Sequence, residues 1–333
     1  GGGAPAASAS SSFGSTVSAM TTDKKRRVEA KAVYFKFDKV GPVDKMHAKI
    51  RGLSAQLESS AETAKLALSP EEDLLLSNLL AVLKQTSRYH ASTVAKDELR
   101  VVQKMLSWPL DCLFPALDLI RVLVVHPDGA KKALSCRSSS GARLLEDSLV
   151  QALGTASSES IVPGKPAPVT LTALRCGCNL LAHQETRQAV AAASSATPGS
   201  VSLLQALALI ARNGLRSNKN TSASAAALAV NLGVLLGDHE INSLHRTLLT
   251  KEHTEVWLDV ILEGLKHSSG CDSSREETTY RLVLGLSMLL AEETRSEQVN
   301  PDRVSEAIQG PLAQSDSERV ATQARSVMAA LGR

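Results

Sequence analysis

Two clusters in the sequence have side chains of the types that do chemistry. His239-Glu240, followed by His245, has the composition of a zinc-hydrolase helix, in which two imidazoles one turn apart take the metal and the Glu activates water. The spacing defeats that reading. The second imidazole is needed at position 243, which is Ser243, and His245 lies six residues beyond His239, toward the opposite face of a helix. Cys176-Gly177-Cys178 sets two thiols about 200° apart around a helix, unsuited to one metal or to an unstrained disulfide. These are read as packing residues. A nucleophilic Cys–His pair could still be assembled by folding, but no local signature marks one, and a Cys inside an apolar helix is usually inert. No G-x-x-x-x-G-K-[ST] phosphate loop, strand-bound G-x-G-x-x-G or G-x-S-x-G elbow occurs either. The expectation is a protein that binds, with no catalytic residue, metal or cofactor.

The elements that would position such residues are helices. Hydrophobic residues make up 43% of the 333 positions but aromatics only 3%. The core must therefore be filled by Leu, Ala and Val, which suits closely stacked helices better than a β-sandwich. Net charge is +3, and the run Lys24-Lys25-Arg26-Arg27 leaves the remainder close to neutral. The basic stripe and stacking aromatics of a nucleic-acid reader are absent. Five cysteines without a framework spacing fit a reducing compartment. No apolar run approaches the roughly 18 residues of a membrane span, and the start lacks a charged-then-apolar signal pattern. A soluble, monomeric, cytoplasmic protein is expected, with the nucleus as a second compartment.

Residues 1–36 form the expected linker, rich in Gly, Ala and Ser up to about residue 30, and such a start implies further domains upstream. The aromatic cluster Tyr34, Phe35 and Phe37 follows. Met46, Ile50, Leu53 and Leu57 recur at helical spacing and predict a helix over 43–58. Ser69, Pro70 and the acidic trio Glu71-Glu72-Asp73 mark the next helix start. A third helix is predicted over 95–106. Long apolar helices are then expected at 110–125, 168–183, 219–236 and 276–292, with ends about 55 residues apart. Shorter ones alternate at 141–153, 200–213 and 253–266, and two more close the chain at 301–309 and 315–331. The alternation predicts an all-α, armadillo-like α-solenoid over residues 37–333, in which neighbours stack and leave a long concave surface for a partner.

Four segments of this chain resemble the PUL-domain family. They are Phe37-Asp38 with the helix ending Lys49-Ile50-Arg51-Gly52-Leu53; Trp108-Pro109-Leu110-Asp111-Cys112-Leu113-Phe114-Pro115-Ala116-Leu117-Asp118, running on to His126-Pro127; Leu174-Arg175-Cys176-Gly177-Cys178-Asn179; and Ser217-Asn218-Lys219-Asn220 with the Ala-rich helix reaching Asn231. Thr279-Tyr280-Arg281-Leu282 is a weaker match. Longer Ser/Gly-rich loops near 137–140, 155–167 and 193–200 depart from the family pattern. Members join a WD-repeat propeller, a ubiquitin-binding PFU domain and the PUL domain. The resemblance implies a ubiquitin-pathway adaptor that holds the acidic C-terminal tail of a hexameric AAA ATPase of the valosin-containing type. Ubiquitin itself would be met only through the upstream domains. A second parentage, PUL joined to thioredoxin and a desumoylating-type peptidase, and a general armadillo carrier of basic peptides are the alternatives.

The residues that would grip such a tail are Arg121, Arg175 and Arg281, each inside an apolar helix where a guanidinium fork can pair with carboxylates. Asn179 and Asn231 could bond a peptide backbone, and Lys219 and Asn220 sit in a family-like block. The alternative for each Arg is a nearby acid, as Asp118 for Arg121, or a charged head led to solvent. Ser217–Asn220 reads equally as a helix cap. Trp108 and Trp257 are expected in the core.

Overall fold

The computed structural model describes residues 34–137, 143–162, 167–193, 201–237, 251–268, 275–290, 299–314 and 317–332. Among them every regular element is helical: α1 (Val43–Glu58), α2 (Pro70–Lys84), α3 (Lys96–Leu106), α4 (Leu110–Leu123), α5 (Pro127–Ser135), α6 (Glu146–Ser157), α7 (Pro168–Ala182), α8 (Gln184–Ala193), α9 (Leu203–Gly214), α10 (Lys219–Gly237), α11 (Lys251–Ser268), α12 (Glu276–Leu290), α13 (Pro301–Gln314) and α14 (Glu318–Ala330), with short 3₁₀ turns at Ala64–Leu66 and Thr86–Ala91.

Local chemistry explains the starts. At α2 the Ser69 hydroxyl accepts from the Glu72 N–H at 3.2 Å while the Glu72 carboxylate accepts the Ser69 N–H at 2.8 Å, a reciprocal capping box. Ser202 and Gln205 repeat the device at α9. Asn218 Oδ1 accepts the N–H groups of Asn220 and Thr221 and so caps α10. The His126 imidazole caps α5, its Nδ1 accepting from the Gly129 N–H at 3.2 Å.

α5 and α8 are the elements sequence reading missed. Pro127 and the turn after His183 look like stops, yet Pro127 is the first residue of α5, where its missing N–H costs nothing. The helix expected over 141–153 lies at Glu146–Ser157 instead. The zinc-like trio at 239–245, Cys271 and most of the 1–36 linker lie outside the described residues.

The helices form two rows. α4, α7, α10 and α12 lie side by side in that order, and α14 packs against α12. α3, α6, α9, α11 and α13 make the second row behind them. This is the expected all-α solenoid, each element buried against its neighbours. Ala, Gly and Ser let the rows close up. Gly233 and Gly285 bring α10 and α12 so near that a Cβ on Gly233 would stand 2.6 Å from the Gly285 carbonyl oxygen. Contrary to the expectation that no run nears membrane-span length, α10 has 19 residues and a mean hydropathy of 1.2, but 83% of that window is buried inside the protein, as a core helix requires. Trp108 and Trp257 are both 2% exposed, and the Trp108 indole N–H donates to the Leu66 carbonyl at 2.9 Å.

Candidate peptide-binding groove

The free face of the α4–α7–α10–α12 row carries a ligand of the chain's own. Residues 34–39 run across these helices without helical structure, and two asparagines hold them by the backbone. Asn179, on α7 and fully buried, accepts the Phe37 N–H at 2.7 Å and donates to the Phe37 carbonyl at 3.3 Å. Asn231, on α10 and equally buried, does the same to Phe35, at 2.7 and 2.8 Å. In an extended chain residues two apart present their N–H and C=O to the same side. Alternate residues are thus read by successive helices.

Each asparagine also spends its remaining donor on the helix before it. The Asn179 amide reaches the Arg121 carbonyl at 2.9 Å, and the Asn231 amide reaches the Cys178 carbonyl at 3.0 Å. Arg121 lies in the last turn of α4, where carbonyls lack an intrahelical partner. Both amide hydrogens of each side chain are therefore used.

The arginines supply the walls. Arg121, 7% exposed, donates from Nη1 to the carbonyls of Phe37 and Lys39 and from Nε to Asp118 at 2.7 Å. Arg281 pairs with Glu277 at 2.6 Å, donates to the Ala223 carbonyl at 2.8 Å, and lies over the Phe35 ring at 4.5 Å. Arg187 covers Tyr34 at 4.3 Å, and Arg175 covers Phe37 at 5.3 Å. Arg175 has no carboxylate partner among the described residues, and its buried Nε has no hydrogen-bond partner there. Arg187 has no carboxylate partner among the described residues either, but it donates to the carbonyls of Leu181 and Ala182 at the end of α7, and in this Arg175 differs from it. The Arg175 guanidinium is only partly neutralised by a ring face.

Comparison with known proteins fits this geometry to a family. The model of the PUL domain matches residues 31–325. The chain belongs to the PUL domain family. Over 268 residues it is 25% identical to the phospholipase A-2-activating protein of Xenopus laevis, covering 79% of this chain. It spans only 28% of that relative's length. PUL domains are protein-interaction modules.

The groove of this PUL domain gathers five of the seven residues singled out in the sequence: Arg121, Arg175, Asn179, Asn231 and Arg281. Lys219 and Asn220 stand apart from it. They occupy the opposite end of α10 from Asn231 and line a cavity of about 430 Å³ with Ala167, Pro168 and Leu171. The acid foreseen for Arg121, Asp118, is present, and the backbone that Arg121 bonds is the chain's own, at Phe37 and Lys39. Sequence reading missed Tyr34, Phe35 and Phe37 as groove occupants, and Arg187 as a wall. A signal was there. A chain with two Trp, three Tyr and four Phe places three of them within residues 34–37.

The thiols of α7 take no part in the groove. Burial pushes the Cys176 thiol up to about 12 and raises Cys178 as well. Burial likewise raises Cys112. A protonated, buried thiol is a poor nucleophile. Among the described residues no three His, Cys, Asp or Glu side chains are grouped to hold a metal.

Proposed function

We propose that this PUL domain is the part of a ubiquitin-pathway adaptor that binds the acidic C-terminal tail of a hexameric AAA ATPase. The observation that carries the reading is Arg175, a guanidinium at the groove with no carboxylate of its own among the described residues. Arg121 and Arg281, by contrast, already hold Asp118 and Glu277. An incoming acidic peptide would lie beside residues 34–39, its carboxylate meeting the open donors of Arg175. Lys36 and Lys39, exposed on the segment, would add attraction at longer range.

The test is titration of a fluorescent acidic tail peptide against the wild-type chain and the Arg175→Ala variant. A charge-assisted bond contributes roughly 1.5–3 kcal/mol, so the variant should bind about tenfold more weakly or worse. The salt dependence of binding should fall as well. Equal affinity for both proteins, with helix content unchanged, removes Arg175 from the interface and this reading with it.

A further inference from the structure

The observation is how residues 34–39 are held. No side chain of the segment is fully enclosed by its seat. Tyr34, Phe35, Phe37 and Asp38 stay half-buried, and Lys36 and Lys39 are exposed, whereas the core beneath them is close to fully buried. The bonds from Asn179 and Asn231 go to backbone N–H and C=O groups, which every residue except proline offers. The two rings lie under the flat guanidinium faces of Arg281 and Arg175 and pack on the edge of the core without being enclosed by it. The hydrogen bonds and ring contacts that hold Phe35 and Phe37 come from helices distant in sequence, on α4, α7, α10 and α12, and the Tyr34 ring lies under Arg187 of α8. The seat is complete without the covalent link.

We infer that the groove is an exchangeable peptide site, in which Tyr34–Lys39 is a tethered occupant that an extended aromatic-x-aromatic peptide from another polypeptide can replace. Such a peptide would place its two rings beneath Arg281 and Arg175 and its alternate backbone amides on Asn231 and Asn179. Specificity would be loose at the position between the rings, where Lys36 faces solvent. The tether sets the threshold for entry. A short link to α1 keeps the resident segment at a high effective concentration, so a weak competitor is excluded while a tight or multivalent one enters. This inference does not depend on the acidic-tail reading, which concerns Arg175 and a peptide of different chemistry lying alongside.

The experiment uses the full chain and a labelled peptide of sequence Tyr-Phe-Lys-Phe-Asp-Lys, the sequence of residues 34–39. Two forms of the protein weaken the resident: the Phe35→Ala/Phe37→Ala variant, and a chain carrying a protease site at Val40–Gly41, cut after folding and freed of the segment by dilution. Saturable binding to both forms is expected, at least tenfold tighter than to the intact wild type. Adding Asn179→Ala and Asn231→Ala to either form should abolish it. If neither form binds the peptide at millimolar concentration, the segment is a fixed part of the fold and the proposal fails. Loss of helical structure in both forms overturns it too, because the seat would then need its resident in order to exist. Binding that survives loss of both asparagines is also fatal, because it would be elsewhere on the surface.

Discussion

Replacing Asn179 with Ala tests how much the segment contributes to the fold. The side chain makes three bonds, to the Phe37 N–H at 2.7 Å, the Phe37 carbonyl at 3.3 Å and the Arg121 carbonyl at 2.9 Å. A typical buried hydrogen bond adds a net 0.5–1.5 kcal/mol, so the three together give about 1.5–4.5 kcal/mol. Two effects pull in opposite directions. The Arg121 carbonyl becomes buried without that partner, which adds to the cost. The Phe37 groups, however, can reach water if the segment lifts, which caps the loss. The lower half of the range, roughly 1.5–3 kcal/mol, is therefore expected. Asn231→Ala should behave alike, since it also removes three bonds, at 2.7, 2.8 and 3.0 Å. Because both hold one segment, the double variant should cost less than the sum of the two. Urea unfolding followed by fluorescence of the buried Trp108 and Trp257 measures the global term. Hydrogen exchange at the Phe35 and Phe37 amides measures the local one. A loss below about 0.5 kcal/mol for Asn179→Ala, with slow exchange retained at Phe37, refutes the view that this side chain anchors the segment.

Other perturbations test the frame that carries the groove. Gly233→Ala drives a methyl against the Gly285 carbonyl at 2.6 Å; overpacking of backbone should cost about 1–3 kcal/mol, and a melting temperature equal to wild type would show that α10 and α12 part freely. Burial, aided by Lys132 and opposed by Asp128, holds His126 below its ordinary pKa of 6.5, so the unfolded chain binds the extra proton first. Stability supplied by neutral His126 is present above pH 6.5 and falls as pH drops below it; the urea midpoint of wild type should decline there more steeply than that of His126→Gln, and parallel curves would refute the assignment. Cys176 and Cys178 should resist iodoacetamide at pH 8 in the folded protein while the half-buried Cys136 reacts; early labelling of either α7 thiol would mean that α7 is not the core helix described.

The all-helical solenoid was legible because its signals are local and repeated. Ser69-Pro70-Glu71 states a helix start within three residues, and the Ala-rich run before Asn231 states a helix buried on all sides. α5 escaped because Pro127 has two meanings, the end of one helix or the first turn of the next, and only the His126 side chain over Gly129 decides between them. The groove was half legible. A charge or amide inside an apolar helix demands a partner, which singles out Arg121, Arg175, Arg281, Asn179 and Asn231. Its partner's identity is a long-range fact: Asn231 meets Phe35 across 196 positions, and no window along the chain contains both.

That long-range fact ties recognition to stability in one set of side chains. Asn179 bonds simultaneously to the Phe37 backbone and to the last turn of α4, and Asn231 to the Phe35 backbone and to α7. A peptide seated on the row thus also staples consecutive repeats together, each asparagine bridging one junction. In a solenoid, stability is a sum over such junctions, so occupancy of the groove must stiffen the α4–α7 and α7–α10 contacts more than those of the second row. Conversely, anything that widens these junctions separates the two asparagines and spoils the spacing that matches alternate residues of an extended chain. The shape of the row and the presence of a strand upon it are coupled through the same two amides. Arg121 reinforces the α4–α7 junction, since its guanidinium holds Phe37 and Lys39 while its carbonyl is held by Asn179.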